Sequence, residues 1–248
     1  MDDDKKILYL VRHAQGHHNV GYAGTVFSLA LRMVVPRWQL LERWNCFGIE
    51  DASLTPTGWK QVKELRERNV HGGVDLVVVS PMTRTLQTAA GVFGGGERKP
   101  GEELPPLMAD GVGACPGAAV SSVGCPPFIA LELCREHTSV YPCDKRSSIS
   151  RCKQQFPAVD FSQIMDEEDS LWSPTLPESK ASLDARRRAL LQWLAARKEK
   201  KIAVVSHSFF LSRLVGAQDG DGEPKLECRK RSSFSNTELR TVVLHYKH

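Results

Sequence analysis

The sequence has no apolar run long enough to cross a bilayer. Its longest apolar stretch, Phe27 to Val35, is interrupted by Arg32 and stopped by Pro36, well short of the roughly 20 residues a spanning helix needs. The chain opens MDDDKK, with acids where an export signal carries a basic start and then an apolar run. No membrane association is therefore expected. Charge of one sign is also scarce. The 33 Lys and Arg face 29 Asp and Glu, a net +4, which suits a small anion but is too little for a dedicated nucleic-acid surface. The 7 cysteines are odd in number and form no C-x-x-C pair. Cys125, Cys134, Cys143 and Cys152 recur every nine residues, a spacing that fits no zinc site. Reduced thiols in a cytoplasmic protein are the expectation. Catalytic signatures are missing as well: no G-x-S-x-G elbow, no G-x-x-x-x-G-K-[ST] loop, no H-E-x-x-H and no G-x-G-x-x-G,.

Three apolar segments are present instead. Ile7–Val11 ends at Arg12-His13, Asp75–Ser80 ends at Pro81, and Ile202–Ser206 ends at His207. Helical segments follow the last two, at Met82–Phe93 and Phe209–Val215. Short continuous apolar strands alternating with helices predict an α/β fold: a three-layer α/β/α sandwich around a mostly parallel sheet. Ligands in such folds bind beyond the carboxyl ends of the strands, where all three terminal motifs stand. Pro56–Arg68 and Leu183–Lys200 read as further helices, with Thr55 as a cap for the first. Thr241–Tyr246 reads as a late strand, expected at a sheet edge. Residues 94–127, rich in Gly and Pro, read as a surface excursion, and a strand-like run resumes at Phe128–Leu133. Residues 20–53 read as a second insertion, a helical cover or a lid that selects the substrate. The strand-end residues run from 12 to 207, so one domain spanning 1–248 is expected. Oligomeric state is left open.

The chemistry-bearing residues are Arg12-His13, Asn19, the segment Ser80-Pro81-Met82-Thr83-Arg84-Thr85-Leu86-Gln87-Thr88-Ala89, the acids Glu132 and Glu136, and Ser206-His207. Arginine suits a phosphate dianion because its planar fork donates paired, charge-assisted hydrogen bonds. Two arginines, two histidines and an acid at strand ends would make a phosphate cradle with a nucleophile and a proton donor. His17 and His18 have no acid or histidine spaced to complete a metal site, so no metal is expected. Arg186-Arg187-Arg188 reads as a solvated helix face. Lys225–Arg231 reads as a basic loop, either plain surface or an attractor over the pocket. Lys145 and Arg146 could reach a substrate carboxylate or second phosphate, or serve the structure.

These motifs, in this order, resemble the histidine phosphatase superfamily, which includes cofactor-dependent phosphoglycerate mutases and many phosphatases. Leu54-Thr55-Pro56-x-Gly58 and Phe234-x-Asn236-x-Glu238 are weaker echoes. Glu132–His137 and Cys143–Ile149 (ELCREH and CDKRSSI) resemble the mutase-like branch of plants and related eukaryotes. The resemblance implies a phosphoglycerate mutase-like fold and a small phosphorylated substrate. It implies His13 as the nucleophile that becomes phosphohistidine transiently, with no other cofactor. It implies Arg12, Arg84 and His207 around the phosphoryl group, Asn19 on a phosphoryl oxygen and Glu136, or else Glu132, as proton donor. Mutases carry Gly-Glu-Ser after R-H, where this chain has Ala14-Gln15-Gly16. That departure favours a phosphomonoester hydrolase, with a phosphoglycerate mutase-type phosphotransferase as the alternative.

Overall fold

Strands buried on both faces must be apolar throughout, and the three apolar segments form the centre of one sheet. The computed structural model describes residues 5–20, 49–68, 73–113, 119–216, 223–228 and 233–246. In chain order the elements are β1 (Lys5–Arg12), α1 (Pro56–Glu67), β2 (Leu76–Val79), α2 (Thr83–Phe93), β3 (Phe128–Ala130), α3 (Ile149–Gln155), β4 (Val159–Asp160), α4 (Lys180–Ala196), β5 (Lys201–Ser206), α5 (Ser208–Gly216), β6 (Lys225–Glu227) and β7 (Leu239–His245). The sheet order is β4-β3-β2-β5-β1-β7-β6. β1 to β5 run parallel, and β7 pairs antiparallel with both β1 and β6. β7 is therefore interior rather than at the edge. The three-residue β6, partly exposed along its length, is too short to show a strand pattern.

Side chains alternate across the sheet and build a core on each face. Leu8, Leu10, Leu76, Val78, Ile202 and Val204 pack with α4 and α5. Val11, Val77, Val79, Ala203 and Val205 pack with α1, α2 and α3. This is the three-layer arrangement. Residues 94–127 depart from a plain surface excursion: Leu107, Met108 and Val112 are buried in the second core, although little of the segment is regular.

Local chemistry sets the helix starts. Thr55 accepts from the Gly58 N–H at 3.0 Å, with Pro56 in the first turn,. Gly58 is obligatory because a Cβ there would lie 2.2 Å from the Gln15 carbonyl oxygen. α2 has no cap of its own; the carboxylate of Asp51 takes the Thr83 N–H and hydroxyl, both at 2.8 Å, and the Ser147 N–H at 3.1 Å.

The solvated-face reading of Arg186–Arg188 holds only for Arg188. Arg187 is buried, and Arg186 binds Glu178 and the carbonyls of Leu133, Arg135 and Glu136. Most of the 20–53 segment (21–48) and the end of the basic cluster (229–231) lie outside the described residues. Among the described residues no helix is long and apolar enough to cross a membrane, and no disulfide is formed.

Candidate active site

Parallel pairing brings the three strand ends to one edge. Arg12 stands opposite Ser206, the His13 N–H donates to the Ser206 carbonyl at 2.9 Å, and the Ser80 N–H to the Val205 carbonyl at 3.0 Å.

His13 is 3% exposed. Its Nδ1 lies 2.7 Å from the Ala14 carbonyl oxygen. A carbonyl can only accept, so the ring proton sits on Nδ1 and Nε2 carries the lone pair. The peptide around it is pinned. Thr88 Oγ1 accepts from the Ala14 N–H at 3.0 Å and donates to the Arg84 carbonyl at 2.7 Å, and Asn236 Nδ2 donates to the His13 carbonyl at 3.0 Å. Burial, then the charges of Arg84 and Arg12, hold the imidazole well below its usual 6.5, so His13 is neutral at neutral pH.

Two more histidines surround it. The His207 ring is 5.1 Å from that of His13, and its Nε2 shares a 2.8 Å hydrogen bond with Ser80 Oγ. The His18 ring is 5.3 Å from His13 on another side. Burial and Arg84 likewise keep both from protonating. Asn19, expected on a phosphoryl oxygen, is engaged with its neighbours. Its Oδ1 accepts from the Gly16 N–H at 3.1 Å, leaving Nδ2 to donate to His18 Nε2, also at 3.1 Å. Asn19 therefore orients His18. Gly16 makes room for that ring: a Cβ there would lie 2.7 Å from His18 Nδ1. Of the departures from Gly-Glu-Ser after R-H, the glycine at 16 thus has a steric fit.

The two arginines are anchored by one edge each. Arg12 Nη1 donates to the Phe234 carbonyl at 2.8 Å. Arg84, 1% exposed, donates from Nη1 to the Cys143 carbonyl at 2.8 Å and meets Asp144 at 3.5 Å through Nη2. Among the described residues, Arg12 Nε, Arg84 Nε, His18 Nδ1 and His207 Nδ1 are buried without any partner. Buried donors left unmatched are costly. The guanidinium groups of Arg12 and Arg84 act together on a neutral imidazole.

The two candidate acids separate cleanly. Glu132 is paired with Arg135 at 3.2 Å and Arg146 at 2.7 Å. Among the described residues Glu136 has no arginine on its carboxylate; it caps α5, accepting from the N–H groups of Phe210 (2.8 Å), His137 (3.0 Å) and Phe209 (3.1 Å). Burial, then Asp144, raise its pKa, and its charge in turn favours the charged form of Arg12. Arg146 does not fit a substrate-binding role. Nε binds Glu132, while Nη1 and Nη2 bind the carbonyls of Ser147, Asp166, Glu167 and Glu168, so every donor is committed to the fold. Lys145 pairs with Glu50 at the surface, at 3.2 Å.

Residues 35–108 match the histidine phosphatase superfamily (branch 1). Phosphoglycerate mutase-like protein 1 of Arabidopsis thaliana is 42% identical over 243 residues, which are 96% of this chain and 81% of that protein. The chain belongs to the histidine phosphatase superfamily. A second Arabidopsis thaliana relative, phosphoglycerate mutase-like protein, is also 42% identical, covering 96% of this chain and 84% of its own length. Among solved structures, the ecdysone phosphate phosphatase of Bombix mori in complex with tungstate shares the fold at a TM-score of 0.50 and 16% identity, over 95% of this chain and 88% of that one.

Sequence reasoning does not reveal the residues that act through others. Ser80, Thr88 and Asp144 all lie inside quoted motifs, so a signal existed, but only their partners across the fold reveal their tasks. His18 was weighed only as a metal ligand. Among the described residues, no group of three or more His, Cys, Asp or Glu side chains is arranged to hold a metal ion.

Proposed function

We propose that the protein is a phosphomonoester hydrolase that works through a phosphohistidine on His13. The observation that carries this reading is the tautomer of His13. Its proton is held by the Ala14 carbonyl, which leaves a neutral Nε2 lone pair among buried, unpartnered nitrogens of Arg12, Arg84 and His207. A phosphoryl group bound there would match those nitrogens with its oxygens, and the arginines would carry its charge through the transition state. Nε2 attacks phosphorus and the bond to the ester oxygen breaks. The carboxyl proton of Glu136 passes to that leaving oxygen. Water then attacks the phosphohistidine and returns a proton to Glu136, and inorganic phosphate departs with the bond to Nε2 broken. A raised pKa suits Glu136 to the first proton transfer,.

The names of the Arabidopsis relatives favour a second reading, a phosphoglycerate mutase-type phosphotransferase. That reaction needs a cation for the substrate carboxylate, and Arg146, one candidate, is committed to backbone carbonyls. The test is turnover of a generic aryl phosphate and of phosphoglycerates with excess chelator present. Release of inorganic phosphate, lost at least about a thousandfold in His13→Ala, is expected. Transfer between phosphoglycerate positions without phosphate release would establish the mutase reading, and turnover unchanged in His13→Ala would defeat both.

A further inference from the structure

Of the three residues whose backbone N–H groups hold Glu136, two have side chains that form an aromatic pair. The Phe209 and His137 N–H groups each donate to the Glu136 carboxylate, at 3.1 and 3.0 Å, and the two rings stand 5.5 Å apart, inclined at 57°. His137 is fixed by a 2.9 Å hydrogen bond from its Nε2 to the Glu178 carbonyl. Phe209 is 52% exposed, whereas Phe210, Leu211, Leu214 and Val215 on the same helix are buried. A lone exposed apolar residue is ordinary. One attached by its own N–H to the proton donor is not placed like the rest.

The leaving oxygen must come within roughly 3 Å of the Glu136 carboxyl to take its proton. Whatever group bears that oxygen approaches a carboxylate held by the backbones of Phe209 and His137, whose rings form this pair. The neighbouring cations are engaged elsewhere. Arg135 pairs with Asp169 and Glu132, and Arg186 binds Glu178 and the carbonyls of Leu133, Arg135 and Glu136. Arg135 and Arg186 are thus committed to the fold and do not meet a leaving group here.

We propose that Phe209, supported by His137, is a specificity determinant that selects phosphomonoesters of aromatic or other flat apolar alcohols. The proposal rests on the hydrolase reading for the role of Glu136, so its test includes a measurement independent of turnover. Binding of phenylphosphonate and methylphosphonate, neither of which can be hydrolysed at the carbon–phosphorus bond by this route, is measured by calorimetry on the full chain. The wild type is expected to bind phenylphosphonate about tenfold more tightly. Phe209→Ala should erase that preference and leave methylphosphonate binding unchanged, while Phe209→Leu retains part of it. In turnover, Phe209→Ala should raise KM for phenyl phosphate about tenfold more than it raises KM for phosphoserine. A wild type without preference for the phenyl compound, or a Phe209→Ala loss equal for both phosphonates, would overturn the proposal. Phosphonate discrimination without any phosphate release would instead sink the hydrolase reading while upholding the aromatic selection.

Discussion

Glu132 and Glu136 are four residues apart, yet the folded chain gives them opposite characters. Glu132 lies between Arg135 and Arg146, so its charge is compensated, while burial and Asp144 push the Glu136 carboxyl upward. Activity should fall as pH rises through that raised value, because only the protonated carboxyl can release a leaving oxygen. His13, held neutral well below 6.5, keeps its lone pair on the acid side. The optimum falls in the window where Glu136 keeps its proton and His13 has none. Glu136→Gln should lower kcat about 100-fold or more and flatten the alkaline limb of the pH–rate profile. Glu132→Gln should leave the limb in place and act on stability, because it uncouples two buried arginines. A limb that persists in Glu136→Gln would remove that residue from its assigned place.

At the scale of elements, the strand ends were legible because apolar runs that stop at charged pairs need no tertiary knowledge to read. The helix α1 was legible for similarly local reasons, Thr55 and Pro56 being its start signals. Less local devices were not. Asp51 caps α2 from 32 residues away and ties it to Ser147, and nothing near Thr83 announces this. Arg146 and Arg186 read as surface or ligand-binding cations because a charged side chain shows its partners only after folding, and theirs are mostly backbone carbonyls. Residues 94–127 read as surface because their irregular backbone hides the buried Leu107 and Met108. Asp51→Ala should destabilise the protein by about 1–3 kcal/mol in a urea titration, combining a lost cap with buried donors left unmatched. Thr55→Ala should cost about 1 kcal/mol. Equal, negligible effects would mean that the first helical turns are held by packing alone.

For the molecule as a whole, the buried histidines of the site carry a pH-dependent cost. His13, His18 and His207 all have folded-state pKa values below the ordinary 6.5. The unfolded chain therefore binds protons that the native state refuses, and stability should fall as pH drops below 6.5 toward the lowered values. Glu136 opposes this, since its raised pKa favours the native state most at low pH and less as pH rises past 4.5, but it is one group against three. Urea midpoints at pH 7.5 and 5.5 check the sign, with the lower midpoint expected at 5.5. Inorganic phosphate should stabilise by binding the orphaned nitrogens, raising Tm by about 5 °C or more at a hundredfold excess over Kd. Arg12→Ala should lose most of that shift.

The central claim is that His13 Nε2 takes the phosphoryl group. Rapid quenching of the wild type during turnover of a labelled aryl phosphate, followed by peptide mass spectrometry, tests it directly. An acid-labile, alkali-stable phosphate on His13, absent in His13→Ala, is the expected result. Steady turnover with no phosphoenzyme formed, or with the label on another residue, would contradict it.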